Sequence, residues 1–514
     1  MNRSRRAFVQ TCGLLGAASF LPRVWAASPT APRRSFHFST SCDALEADPE
    51  LLEAVIRAGV TDLWLAAAWS GRWFSTPDKL ATWRERIAAR GLACHIINVP
   101  LGHPDAGSTI WPPGVRPDGS TYTGTSLHDP ATQENCQAVQ DLYNLGVRRL
   151  FLDDDFRLAQ SPGTIGGCFC PAHKREFLQR TGFGETQWSD LLADVQGRRL
   201  TPLLKAWVEF TCDQLTRCFR AQQKLASDLQ LGIMVMYLGA EKAGIRLPDY
   251  AGLPMRVGEL MFDDGGFDRT KGKTDELFSS LFHRRFVTPE LAFSETTAYP
   301  VNSLSLANKV AKLAVSTLSD VRNTMFMCDF PRDHWATLGP AMKKHASLHA
   351  VVAGHTPRGP LKHFWGEASR YVSDDNPYSL FLALGVPFEV TDAPASDGFT
   401  FLSDADALLA GQLPKTDTQW IGRAQAGVPE NVQVLPESLP EMWAWKRALL
   451  PQLERTPYVE DDKPVVCAWY PTAQAVLLWN LSPEPQQLSL RCGAAQRAIH
   501  LDGLELGLVE NVIV

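Results

Sequence analysis

The chain has 514 residues and a formal charge of −6, long enough for one large domain with smaller ones attached. Its 56 acidic residues outnumber 50 basic ones, and no basic block is present, which argues against nucleic acid as a partner. Eleven cysteines are scattered without the spacing of a small disulfide framework, and no later segment matches the roughly 20 apolar residues of a membrane-spanning helix.

Residues 1–27 read as a leader. Ser4-Arg5-Arg6-Ala7-Phe8-Val9-Gln10 resembles a twin-arginine export signal, a mildly apolar stretch runs from Cys12 to Leu21, and Val24-Trp25-Ala26 offers small residues for cleavage. The expectation is export in a folded state to the periplasm or beyond, without a stable membrane anchor, because the apolar run is too short to span.

From Ser35 onward, short strand-like runs alternate with longer helical stretches. Strands are predicted at Ser35–Ser39, Asp62–Ala68, Ala93–Val99, Leu150–Leu152, Gln230–Tyr237, Val257–Phe262, Leu291–Ser294 and Thr324–Met327, with helices between them. Eight strand–helix units in 35–355 predict a (β/α)8 TIM barrel rather than a doubly wound sheet. No Gly-x-Gly-x-x-Gly follows the first strand, so a dinucleotide fold has no support. Residues 356–455, with strand-like Gly385–Val390 and Phe399–Leu402, predict a small α/β, flavodoxin-like domain. Short apolar runs punctuated by Pro, Asn and Gly in 460–514 predict a small β-sandwich.

In a parallel barrel the C-terminal strand ends face one pocket. Those ends carry Trp69 and Trp73, His103, Asp153, Asp154 and Asp155 with Arg157, Tyr237, Asp263 and Asp264, Glu295, and Asp329. Such an acid-rich, aromatic-flanked set suits glycoside hydrolysis, in which two carboxyl groups flank the scissile bond and one is protonated to assist departure of the leaving group. Glu295, followed by Tyr299-Pro300, stands where a nucleophile would. Asp153, Arg157, Trp69, Trp73, His103, Tyr237, Asp263 and Asp264 are candidate substrate contacts, and Trp111 lies in a long loop that could shape the site.

The segments FLDDDFR, GCFCPAH, AFSETTAYP and DDNPYSLFLALGVPFEVTD, on a plan of barrel, α/β domain and C-terminal β-domain, resemble the β-galactosidases of glycoside hydrolase family 42 and the retaining barrel glycosidases more broadly. The resemblance implies Glu295 as nucleophile, Asp154 or, second, Asp155 as acid/base, a carbohydrate substrate, and a homo-oligomer, a trimer formed through the α/β domain. The chain departs from the family at one point. The family carries Asn-Glu at the end of the fourth strand, this chain Asp153-Asp154-Asp155, and an aspartate reaches about 1.5 Å less far.

Cys168-x-Cys170-x-x-His173 has thiolate and imidazole donors at a spacing that suits zinc, and a closed tetrahedral site needs a fourth ligand, for which Cys136 and Cys94 are the candidates. The resemblance implies a structural zinc here, since some family members carry Cys-x-Cys-x-x-Cys at this place. Two other readings stay open: a carbohydrate-binding protein on a degenerate glycosidase barrel, and a metal-dependent hydrolase centred on Asp153–Asp155.

Overall fold

A computed structural model describes residues 33–513 except 70, 71, 100–111, 123–126, 154, 155, 162, 236, 237, 239, 240, 258, 259, 328, 329 and 454. Eight parallel strands close on themselves: β1 (Ser35–Thr40), β2 (Asp62–Trp69), β3 (Ala93–Val99), β4 (Arg149–Leu152), β5 (Gln230–Val235), β6 (Met255–Val257), β7 (Ala292–Thr297) and β8 (Asn323–Met327). β1 pairs with both β8 and β2, which makes the sheet a TIM barrel.

Strand alternation sorts the side chains. On β1, Phe36 and Phe38 point out to the helical layer, where the Phe38 ring lies 4.9 Å from that of Trp335, while His37 points inward. The barrel interior is a packed core of Trp64, Ile97, Phe151, Phe293, Met325 and Met327, drawn from five strands. Gly232 on β5 makes room for it, since a Cβ there would meet the Phe151 ring at 2.6 Å and the Pro254 carbonyl oxygen at 2.7 Å. Because both strand faces are buried, the strands read as nearly continuous apolar runs.

Two strands differ from expectation. The sixth is Met255–Val257, not Val257–Phe262. The apolar run Leu260-Met261-Phe262 belongs to the following loop, and the true strand has Arg256 at its centre. The seventh extends to Thr297, so Glu295 lies inside it, paired with Met325 of β8, rather than ending it. β-Branched Thr296 and Thr297 continue the pleat to Phe326 and Met327.

Beyond the barrel, five parallel strands, β9 (Leu361–Phe364), β10 (Phe388–Thr391), β11 (Phe399–Leu402), β12 (Gln419–Gly422) and β13 (Val432–Val434), lie in the order β10-β9-β11-β12-β13, which is flavodoxin-like. The crevice between β9 and β11, where that topology places ligands, is filled by the buried Asp406 carboxylate, which accepts from the Gly366 N–H and the Ser369 hydroxyl. Two three-stranded antiparallel sheets built from residues 458–510 face each other across their own core, including Val459, Cys467 and Leu490. Among the described residues no helix is long and apolar enough to cross a membrane.

Candidate functional site

The inward-facing layer at the C-terminal end of the barrel carries the charges. Asp153 follows β4, its backbone N–H donating to Asn98 O at 2.9 Å and its carbonyl accepting from Phe156 N at 2.8 Å. Arg256, wholly buried on β6, donates through Nη2 to Asp153 Oδ1 and pairs through Nε with Glu295 Oε2 at 2.8 Å. Glu295 is 3% exposed, and the Thr297 hydroxyl donates to its Oε1. The floor is apolar, with the Arg256 guanidinium 5.7 Å from the centre of the Phe151 ring.

A guanidinium cannot lose its proton here, so burial demands counter-charge. Two carboxylates supply it and leave the trio with a formal charge of about −1. The Arg256 guanidinium and the Thr297 hydroxyl both face the Glu295 carboxyl.

The other candidates fall in several places. Arg157 is buried, with Nε on Ala159 O at 3.1 Å. Trp73 is half-buried against the main core. Asp263 caps the short helix Asp264–Phe267, accepting from Gly266 N at 2.7 Å. Asp264 accepts from Ser305 N at 2.8 Å and Asn308 Nδ2 at 2.7 Å, tying the loop after β6 to the loop after β7. Asp154, Asp155, His103, Trp111, Tyr237, Asp329 and the Trp69 side chain lie outside the described residues.

Cys168, Cys170 and His173 do come together, and the fourth member is His128, not Cys94 or Cys136. The donor atoms of these four residues all lie within 4.8 Å of one another. Cys170 Sγ is 3.7 Å from His128 Nε2 and 3.3 Å from His173 Nδ1. Bonds of about 2.0–2.3 Å around a tetrahedral zinc put neighbouring donors about 3.5 Å apart, so the set fits that ion. Local structure builds it: Cys170 is the N-cap of helix Pro171–Thr181, and His128 stands just before helix Asp129–Asn144. Burial pushes the Cys168 thiol up to about 11 and holds His173 below the ordinary imidazole range. A bound cation reverses the thiol shift by stabilising thiolate.

Sequence reasoning missed Arg256 and His128. A lone arginine between Met255 and Val257 was a readable signal, since a charge within an apolar strand demands a partner. His128, 40 residues before Cys168, carried no spacing signal.

No family model and no curated relative matches the chain. Solved structures do. It is similar to a cold-adapted β-galactosidase from Rahnella sp. R3 (11% identity, 93% of this chain and 98% of that one, TM-score 0.58). The β-galactosidase of the Antarctic haloarchaeon Halorubrum lacusprofundi matches at 11% identity over 93% and 99% of the two chains, with a TM-score of 0.59. That of Bacillus circulans sp. alkalophilus matches at 9% identity over 94% and 98%, also with a TM-score of 0.59. At such identities the likeness is one of fold, and it extends over nearly the whole chain.

Proposed function

We propose that this protein is an exported glycoside hydrolase of the family 42 type that cleaves a glycosidic bond with retention. The observation that carries the reading is the Asp153–Arg256–Glu295 trio at the catalytic end of a barrel shared in fold with β-galactosidases. Glu295, kept ionised by Arg256 and oriented by Thr297, attacks the anomeric carbon. An aspartic acid of the loop after β4, Asp154 first and Asp155 second, protonates the departing oxygen and then activates water for the second displacement. Asp153 stays with Arg256 and orients substrate hydroxyls. The twin-arginine-like Ser4-Arg5-Arg6 supports export to the periplasm or beyond, and the family resemblance supports a trimer.

A structural zinc belongs to this reading. His128, Cys168, Cys170 and His173 would hold it, and four protein ligands leave no open position for catalysis. Bound there, it would staple the end of the loop after β3 to the loop after β4. Elemental analysis of purified protein is expected to find one zinc per chain, lost in His128→Ala, whereas full retention in that variant would remove His128 from the set.

Glu295→Gln tests the function. Hydrolysis of an aryl β-galactoside should fall by at least about 10³-fold, with sugar affinity retained. The low exposure of Glu295 favours a second reading, a carbohydrate-binding protein on a glycosidase barrel, and sugar binding without turnover in the unsubstituted protein would select it.

A further inference from the structure

A cavity with polar and apolar walls lies on the same face of the barrel, outside the carboxylate trio. Its volume is about 330 Å³, and Arg116, Gln160, Thr164, Phe169 and Arg198 are among the residues that line it. Three segments build it. One is the two-stranded hairpin of Gly114–Val115 and Thr121–Tyr122 in the loop after β3. Another is the loop after β4, which begins at Asp153, and the third is the C-terminal end of helix Gln187–Gly197. Phe169 joins the first two, its N–H donating to Val115 O at 2.8 Å and its ring centre 4.5 Å from that of Trp207.

Some arginines in this chain meet several acids. Arg246 alone pairs with Glu209, Asp213 and Asp249. Arg116 and Arg198 do not: among the described residues neither has a carboxylate at ion-pair distance. Asp118, on the same hairpin as Arg116, accepts through Oδ1 from Ser120 N at 2.9 Å and Oγ at 2.6 Å, and Arg116 acts on it only through charge, without an ion pair. Asp375, near Arg198, spends its own on Lys242 and the Gly163 N–H.

Neutral partners hold both side chains in place. Arg116 donates through Nε to Gln160 Oε1 at 2.8 Å and through Nη1 to Ser120 Oγ and Thr121 O. Arg198 donates to the carbonyls of Val372, Ser373 and Gly163. Each guanidinium has five N–H donors, so both Nη2 hydrogens of Arg116, and Nε–H with one Nη2 hydrogen of Arg198, have no protein acceptor among the described residues. Preorganised cations with donors to spare, in a chain with an excess of acids, attract an oxyanion.

We infer that this cavity is a subsite for the acidic substituent of a glycan, a uronate carboxylate or a sulfate ester. The inference rests on the carbohydrate reading above and narrows its substrate class to acidic glycans. The cavity is at the small end of ligand pockets, about 300–1,000 Å³, a size for one sugar unit. Ile165 and Phe169 give the cavity an apolar wall for the sugar's C–H groups while the two arginines take the charge. The loop after β4 carries, along the chain, both this cavity and the acids of the proposed reaction.

Calorimetric titration of the full chain with D-galacturonate, D-galactose and sodium sulfate tests it. Galacturonate should bind more tightly than galactose, and Arg116→Gln should weaken galacturonate about 10- to 100-fold while leaving galactose unchanged. Arg116→Lys, which keeps the charge but loses the fork, should lie between. An unchanged thermal midpoint verifies that the variants fold. Equal galacturonate affinity in the unsubstituted protein and Arg116→Gln overturns the site. Sulfate binding as tightly as galacturonate and displacing it overturns the glycan assignment in favour of a free-anion site. Should Arg116-dependent galacturonate binding occur in a protein that hydrolyses no glycoside, the hydrolase reading fails and this one stands.

Discussion

Both ends of the barrel are rich in ionisable side chains, yet they differ in what those groups have left to do. At the N-terminal end, Asp62 accepts from His95 Nε2 at 2.9 Å, and His37 sits between Ser35 and Trp64. Ser35, His37 and Asp62 even have the look of a nucleophilic triad, with Ser35 Oγ 2.8 Å from His37 Nε2 and His37 Nδ1 3.8 Å from Asp62 Oδ2. The proton is on the wrong nitrogen. Trp64 Nε1 can only donate, and it donates to His37 Nδ1 at 3.1 Å. Nε2 therefore carries the proton and donates to Ser35, whose hydroxyl in turn donates to Asn323 Oδ1 at 2.8 Å. The chain of donors runs away from any nucleophile and ends on its own partners. At the C-terminal end, one buried cation serves two carboxylates, and the Asp153 side chain stays 18% exposed. A cluster of titratable groups marks a site only when its donors and acceptors do not cancel.

The contrast can be broken from either side. The largest effect is expected at the C-terminal end. Arg256→Met leaves Asp153 and Glu295 buried without their cation and should cost about 3–5 kcal/mol in urea unfolding, with turnover lost as well. A variant as stable as the parent would mean that Arg256 does not hold the two carboxylates in place.

The smaller effect belongs to the other end and appears in pH. Burial, the largest influence, lowers His37 from 6.5 to about 4; Asp62 opposes that shift, while Arg149 and His95 reinforce it. The folded protein keeps this ring neutral while the unfolded chain takes up a proton below 6.5, so stability falls as pH drops from about 6.5 to 4. For His37 alone the loss is about 3 kcal/mol. Burial alone would raise Asp62, but the hydrogen bond from His95 and the charge of His37 bring it to about 2. Its share is therefore lost only at pH below 3.8. Unfolding free energies measured across pH 4–7 should show this slope, flattened in His37→Gln. An equal slope in that variant would move the effect to other buried imidazoles such as His283, which burial also lowers to about 4.

Much of the barrel was legible because parallel strands buried on both faces appear as apolar runs whatever their neighbours are. β1, β3 and β8 fall almost where the pattern predicts. β6 did not, because a charged residue at its centre breaks the run while the adjacent loop imitates one. β9, β12 and β13 went unseen, being three or four residues long with polar members such as Lys362, Gln419 and Gln433. In the site, Glu295 and Asp153 stood out as acids in or beside apolar strands. His128 did not, and Arg256 showed only that a partner was needed, since the partners that give them meaning are 42 and 103 residues away in sequence.

The sequence by itself determined the barrel, the chemical character of its mouth, and three of the four residues of the Cys–His cluster, because periodicity and local spacing are properties of neighbours along the chain. Which arginine stands between the carboxylates, which histidine completes the cluster, and which way the proton of His37 points were decided by tertiary structure alone. Each depends on side chains from different strands and loops meeting at hydrogen-bonding distance, and closure of the barrel is what brings them there.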